Sequence, residues 1–352
     1  MTAVRFDGLT CPAPLTDQAR IQLGHGSGGK LSAALLRERF FPHLANAYLA
    51  RLGDGAVVPV GQSEIVVSTD TFVVSPLEFP GGNIGALAVH GTLNDVAMMG
   101  ARPLYLTAGF VLEEGLSLEL LDRIVRTMAH SAAEAGVPLV TGDTKVVERG
   151  RADGMYLNTT GIGLLDPAFQ PSPDRARPGD VIIVSGPLGR HGMAIMAVRE
   201  GLAFESTIES DTANLWPLVD RLRTAAGAGV AVLRDPTRGG LASALNEIAQ
   251  ASGVGMMLEE NALPVPGDVA AACEMLGLDP LYVANEGVLV AIVGAEQAPA
   301  ALAALQGHPL GREAAILGRV VAEHPGYVVL RTVVGGTRVV DMLPGDQLPR
   351  IC

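Results

Sequence analysis

The stretch from Asp166 to Asp180, DPAFQPSPDRARPGD, packs four prolines and five charged residues into fifteen positions. Proline has no backbone N–H and biases the residue before it away from helix, so a run this dense breaks both strands and helices. It falls near the middle of a 352-residue chain, a length that suits about two domains. The run is therefore the expected boundary between two halves that each build their own core.

On both sides of it, strand-like runs alternate with glycine-bounded helical runs, the pattern of a mixed α/β architecture. In the first half, SEIVVSTDTFVVS reads as a strand pair or one long bent strand. GGNIGALAVHGTLNDVAMMGARP reads as a helix that stops at Gly100 and Pro103. LSLELLDRIVRTMAHSAAEAGVPLVTGDTKVV reads as an amphipathic helix, a turn at Gly136 and Pro138, and a strand, and GMYLNTTGIGLL as another strand. The second half restarts with DVIIVSGPLG. It carries a helix after DPTRGG, a strand in GVLVAIVGA, and ends near AAILGRVV. The expected divisions are an N-terminal domain over 1–165, a C-terminal α/β domain over 176–326, and a C-terminal segment over 327–352 that opens on a short β-like stretch and runs into a tail with a mobile end.

A hydrophobic content of 48% supplies ample core, and three cysteines, Cys11, Cys273 and Cys352, form neither a metal-type spacing nor a disulfide framework. That usage suggests a reducing compartment. The N-terminal residues lack the apolar centre of a signal peptide, and no run approaches the roughly 18 apolar residues of a membrane span. The expectation is a cytoplasmic protein. A net charge of -12 repels nucleic acid and anionic membranes, so a polyanionic substrate has to arrive with a cation or meet a helix N-terminus.

GHGSGGKL, from Gly24 to Leu31, nearly matches a phosphate-binding loop, but Leu31 stands where the magnesium-binding hydroxyl belongs and Ser32 comes one place late. It is either a plain glycine loop before the helix KLSAALLRERF or a loop that closes over phosphates with its backbone N–H groups. Short acidic turns recur at Asp54, Asp70, Asn94 with Asp95, Asp143 and Asp235. Each alone is an ordinary cap or turn former. Together, carboxylates converging from loops are what a hard cation such as Mg²⁺ requires when it bridges to phosphate oxygens.

The motifs HGSGGK, STDTFVV, NDVAMMGARP, GDTKVV, DPTRGG and NEG, in this order, resemble the ATP-binding superfamily that includes aminoimidazole ribonucleotide synthetase, selenophosphate synthetase and thiamine-monophosphate kinase. The resemblance covers nearly the whole chain and implies a two-domain α/β (α+β) fold with mixed sheets packed by helices. Within that superfamily, the closing PRIC, ending on Cys352, resembles the HypE family of hydrogenase maturation proteins.

The HypE resemblance implies an ATP-dependent carbamoyl dehydratase. In that family a carbamoyl group arrives on the terminal cysteine from the carbamoyltransferase HypF. ATP then drives its dehydration to a thiocyanate, and the cyano group passes to iron in a HypC–HypD complex, becoming a cyanide ligand of [NiFe]-hydrogenase. Cys352 is then the carrier. The superfamily implies Asp54, Asp70, Asp95 and Asp235 around magnesium and phosphates, Asn94 and Asp143 supporting the nucleotide, Lys30 on phosphate, and a homodimer joined through the sheets of two N-terminal halves. For proton removal it points to Lys145 and Glu286. Asp143 and Lys145, two apart in a strand, face the same side. Lysine serves as a base only where its surroundings lower its pKa.

Plainer readings stand beside these: Lys145 as an ion-pair partner of Asp143, Glu286 as a turn carboxylate, His90 as a packing residue, Cys273 as a buried helix residue, Cys11 as an incidental thiol, and Met98 and Met99 as core filling. Selenophosphate synthetase would carry a reactive Cys or Sec in the glycine loop, where Gly28 and Gly29 stand. A thiamine-phosphate-type kinase gives no reason for Cys352. A scaffold anchored by Cys352 remains the non-enzymatic alternative, and prenylation fails because its cysteine belongs fourth from the end.

Overall fold

The computed structural model describes residues 21–26, 29–44, 46–51, 53–201, 208–343, 345, 348 and 350–352. The expectations for Cys11, Gly28 and Pro349 lie outside these residues. In the first half, β1 (Ala56–Val60), β2 (Ser63–Phe72), β3 (Ala101–Glu113), β4 (Leu139–Val147) and β5 (Met155–Leu165) form a sheet in the order β1-β2-β5-β3-β4. All its pairings are antiparallel except β3 with β4. SEIVVSTDTF is thus one long strand, β2, paired on one side by β1.

Two helices cover one face. Helix α1 (Ile84–Met98) starts because Asn83 accepts hydrogen bonds from the N–H groups of Gly85 and Ala86, and it ends at Gly100, whose φ of +77° suits glycine. Its sequence is apolar or small all the way round, and almost every residue is buried. Such a helix has to be sandwiched: it lies between this sheet and the second half. The fit is close, because a Cβ on Gly91 would come within 3.0 Å of the Phe72 ring. Helix α2 (Leu118–Ala135), capped by Ser117 and stopped by left-handed Gly136, buries only the stripe of Ile124, Met128, Ser131 and Ala132.

On the opposite face of this sheet, apolar side chains stand exposed among the described residues. Tyr105, Val111, Leu139, Val140, Val146 and Leu164 are exposed there and along the β4 edge.

The proline-rich run connects β5 to β6 (Val181–Val184), where the boundary was expected. Helix α3 (Arg190–Arg199) and α4 (Trp216–Ala226) follow, then β7 (Val230–Arg234), α5 (Gly240–Ser252), β8 (Gly255–Glu259) and α6 (Gly267–Leu276). After them come β9 (Val290–Val293), α7 (Ala298–Gln306), β10 (Ala315–Val321), β11 (Val328–Arg331) and β12 (Thr337–Val340). The second sheet has the order β12-β11-β8-β10-β6-β9-β7, with β8 and β11 parallel. Strands β6 and β9 are fully buried VIIV and VAIV runs, as central strands covered on both faces should be. The segment from residue 327, read as a short β-like stretch before a tail, contributes β11 and β12 to this sheet, because Val328, Leu330 and Val340 are apolar and find burial there.

Cys273 lies buried in α6, and Met98, at the end of α1, is buried against Phe169 and the second half, as their surroundings in sequence suggested.

Candidate functional site

The site forms where α1 and the ends of β2 and β7 meet. Asp95 projects from α1, Asp54 from the turn before β1, and Asp235 from the turn after β7, and one carboxylate oxygen of each lies within 4.8 Å of the others. The Ser68 hydroxyl on β2 sits 2.7 Å from Asp95 Oδ2 and 2.8 Å from the Asp54 carbonyl. Arg234 closes the far side, 2.6 Å from Asp54 Oδ1, and also pairs with Glu247 at 2.5 Å.

Gathering these carboxylates away from water raises their affinity for protons. Burial pushes Asp95 well above the usual carboxylate range, with Asp235, Asp54 and Asp70 adding repulsion. Burial and the neighbouring Asp54 push Asp235 up to about 7. Burial also raises Asp54, against the pull of Arg234. Burial opposes the charge on Arg234, but Asp54, Glu247, Asp235 and Asp95 outweigh it and hold the guanidinium charged. One guanidinium against three carboxylates leaves negative charge to be matched. The all-oxygen donor set is that of a hard cation such as Mg²⁺, so the residues present fit the expected ion.

Asp70, the fourth expected metal residue, stands apart from this trio. Its Oδ1 accepts the Thr71 N–H at 2.7 Å and faces Arg238 at 4.0 Å, and burial raises its pKa while Arg238 opposes the shift.

Arg238 was within the DPTRGG motif yet not singled out by it. Its loop is pinned by Gly240 at φ +60°, where a Cβ would lie 2.6–2.7 Å from backbone atoms of Leu281, Tyr282 and Val283. From there Arg238 donates to the Gly26 carbonyl at 3.1 Å. The nearby Cys352 end is the strongest influence holding it charged, with Asp70, Glu286 and Asp95 adding to that effect against burial. Arg238, Gly26, Gly29, Gly239, Tyr282 and Cys352 line a cleft of about 550 Å³ open to solvent. Gly26 and Gly29 of the glycine loop therefore border the cleft.

Cys352 reaches the cleft because the last residues dock along the chain leaving β2. Val73 N–H donates to the Cys352 carbonyl at 3.1 Å and Ser75 N–H to the Arg350 carbonyl at 3.2 Å. Ile351 is buried in the main core with Phe72, Met193 and Val283.

Glu286 is fully buried, and burial followed by repulsion from Asp235, Asp211 and Asp70 raises its pKa well above normal. Its Oε1 and the Oδ2 of Asp211 are buried without hydrogen-bond partners among the described residues. Asp211, which the sequence did not flag, receives the Glu286 backbone N–H at 3.1 Å, and burial lifts its pKa to about 6.

Other expected residues are placed differently. Asn94 is fully buried, and its side chain ties the two halves together: Nδ2 donates to the carbonyls of Ala213 (3.0 Å) and Glu286 (3.3 Å), while Oδ1 accepts from Leu215 N–H (2.8 Å). Lys30 pairs with Asp341 at 2.6 Å. Asp143 and Lys145 pair with each other at 2.6 Å on the exposed edge strand β4, with side chains 71% and 69% exposed. Within one chain, no hydrogen bond or ion pair among the described residues joins them to the acidic trio or to Glu286. His90 lies on α1 itself, where burial lowers its pKa to about 4.

The two halves match the family profiles "AIR synthase related protein, N-terminal domain" over residues 52–165 and "AIR synthase related protein, C-terminal domain" over 177–331. The chain is 56% identical to the carbamoyl dehydratase HypE of Cupriavidus necator over 95% of both sequences. Among solved structures it is similar to HypE in a HypE–HypF complex, with 46% identity and a TM-score of 0.84 over 88% of this chain and 100% of that one. It is also similar to HypE in complex with ATP, with 50% identity and a TM-score of 0.80 over 93% and 98%. With the acidic trio, the cleft and Cys352 in these positions, the chain belongs to the HypE family of carbamoyl dehydratases within the AIR synthase related proteins.

Proposed function

We propose that this protein converts an S-carbamoyl group on Cys352 to a thiocyanate at the expense of ATP, supplying the cyanide ligand of [NiFe]-hydrogenase iron. The observation that carries this reading is the seating of Cys352 in the cleft beside Arg238, next to a partly buried acidic trio suited to a metal nucleotide. The carbamoyl oxygen attacks the γ-phosphorus of ATP and ADP leaves. The C–O bond to the phosphorylated oxygen then breaks, releasing phosphate, as the nitrogen loses two protons, leaving S–C≡N. A thioester-like carbamoyl suits this route because its oxygen is free to be phosphorylated.

Asp54, Asp95 and Asp235 would hold Mg²⁺, which when bound neutralises phosphate charge and orients the γ-phosphoryl group. Arg238 lies where it can meet phosphate oxygens. Glu286 is the favoured proton acceptor: it is buried, its Oε1 has no hydrogen-bond partner among the described residues, and its raised pKa gives it real basicity.

Lys145 and Asp143 belong to the reaction only if a second chain brings them to it. The apolar face and β4 edge, exposed among the described residues, support a homodimer that covers them and places one subunit's Lys145 near the other's Glu286. HypF is the proposed carbamoyl donor and a HypC–HypD complex the proposed acceptor of the cyano group.

Intact-mass analysis after incubation with HypF, carbamoyl phosphate and ATP tests the reading. The peptide bearing Cys352 should pass through a carbamoyl form to a thiocyanate, and Cys352→Ser should abolish the stable thiocyanate, since an alcohol is the poorer nucleophile and leaving group. Modification at Cys273 or Cys11 in place of Cys352 would overturn it.

A further inference from the structure

The grip on the last residues converges on a histidine that the chemistry above does not use. His191, near the start of α3, is fully buried. Its Nε2 lies 2.8 Å from the Ile351 carbonyl oxygen and its Nδ1 2.8 Å from Ser210 Oγ. A carbonyl only accepts, so Nε2 carries the proton. In a neutral ring Nδ1 is then the acceptor and Ser210 the donor. Ser210 Oγ in turn accepts the Thr212 N–H at 3.1 Å. The Phe79 ring stands edge-on to the imidazole, 5.5 Å between centroids and 88° between planes. Burial keeps the ring neutral by lowering its pKa to about 4. One tautomer, held by Ser210, thus presents a fixed donor to the peptide immediately before Cys352.

We propose that His191 is a positioning residue for the carrier, a latch whose Nε2–H holds the Ile351 carbonyl and so sets how Cys352 is divided between a docked, dehydrating state and an undocked, carbamoyl-accepting one. The contact goes to a backbone atom, so it is indifferent to what Cys352 carries, as a latch for a group that changes from thiol to carbamoyl to thiocyanate must be. The other ties share this property. Arg199 donates to the carbonyls of Ser75 and Arg350, and Arg350 Nε donates to the Val73 carbonyl. Chain ends fray unless tied down, and His191 ties the peptide group that leads directly into Cys352.

This inference rests on the proposed function for its kinetic arm but not for its accessibility arm. In the full-length protein, His191→Ala should slow dehydration of pre-carbamoylated Cys352 by about ten- to a hundredfold, the scale of a misplaced reacting group. The KM for ATP should stay unchanged, and carbamoylation by HypF should be as fast or faster. Alkylation of Cys352 by iodoacetamide, read on its own peptide by mass spectrometry, should accelerate. His191→Gln should recover most of the dehydration rate because its amide nitrogen can occupy the place of Nε2, whereas His191→Asn should not. Ser210→Ala should lie between.

Equal loss of both steps, or identical behaviour of the Gln and Asn variants, would mean that His191 merely supports the fold and would overturn the latch. So would unchanged alkylation together with unchanged dehydration. If the Ala variant does not fold, the Gln and Asn pair decides. If the parent protein never dehydrates Cys352, the proposed function fails, and the alkylation rates of the parent and variants still judge the latch.

Discussion

Asp235 and Asp143 are both aspartates in short glycine-flanked turns or strands, and both were expected near the nucleotide. Asp235 sits among other carboxylates out of water, and its pKa rises to about 7. Asp143 stands in solvent, where hydrogen bonds from Lys145 and from the Thr144 N–H hold its pKa below normal. The first environment stores repulsion that a cation can relieve. The second stores none, since exposed pairs are screened and weak. Local sequence cannot tell the two apart; burial does.

The largest effect should come from breaking the buried cluster. Asp95→Asn and Asp235→Asn each keep the side-chain shape but remove charge from a hard-cation site, and each should lower ATP-dependent dehydration by at least about a hundredfold, as loss of a metal-held phosphate group does. Without Mg²⁺ the same variants should melt no lower than the parent, because they remove repulsion. Unchanged dehydration kinetics in both would take the trio out of the mechanism.

Next in size is the contrast between Glu286 and Lys145. Glu286→Gln should still accept a carbamoyl group on Cys352 but accumulate it, visible as a persistent carbamoyl mass. Lys145→Ala should do the same if a second subunit presents that lysine. Mixing the two inactive variants under conditions of subunit exchange should then restore about a quarter of the activity, the share of intact sites in a two-fold dimer with complementary defects. No recovery in the mixture would separate the exposed pair from the reaction.

A smaller effect is the pH dependence of stability. The folded pKa values of Asp235, about 7, and Asp211, about 6, lie above the unfolded value near 3.8. Between those limits the folded protein binds more protons than the unfolded chain, so stability falls as pH rises from about 4 to about 7. Thermal melts without Mg²⁺ should therefore drop across that window. Added Mg²⁺ should flatten the slope, and Asp235→Asn should remove much of it. A metal-free melting temperature that rises through the window would contradict the buried, uncompensated arrangement.

The smallest effect is expected at the exposed pair. Asp143→Asn should leave the melting temperature of the protein unchanged at any salt concentration, whatever it does to turnover. A clear loss of stability would mean that β4 is more enclosed than its 71% exposed Asp143 implies.

The sequence by itself determined what depends on neighbours along the chain. The proline run separated two strand- and helix-bearing stretches, Asn83, Ser117 and Gly136 set helix ends, and the mostly apolar Ile84–Met98 formed a helix buried on most sides. The types of residue needed for a metal nucleotide were also legible, and so was Cys352, through resemblance. Tertiary structure alone decided which of those residues meet. It gathered Asp54, Asp95 and Asp235, set Asp70 opposite Arg238, turned Asn94 into a tie between halves, and left Asp143 and Lys145 in solvent. It also recruited Arg234, Arg238, Asp211 and His191, whose motifs announced nothing. The reason is physical. Caps and periodicity act over a few residues and repeat in recognisable spacing, whereas desolvation and Coulomb repulsion depend on distances set by how two sheets pack around one helix.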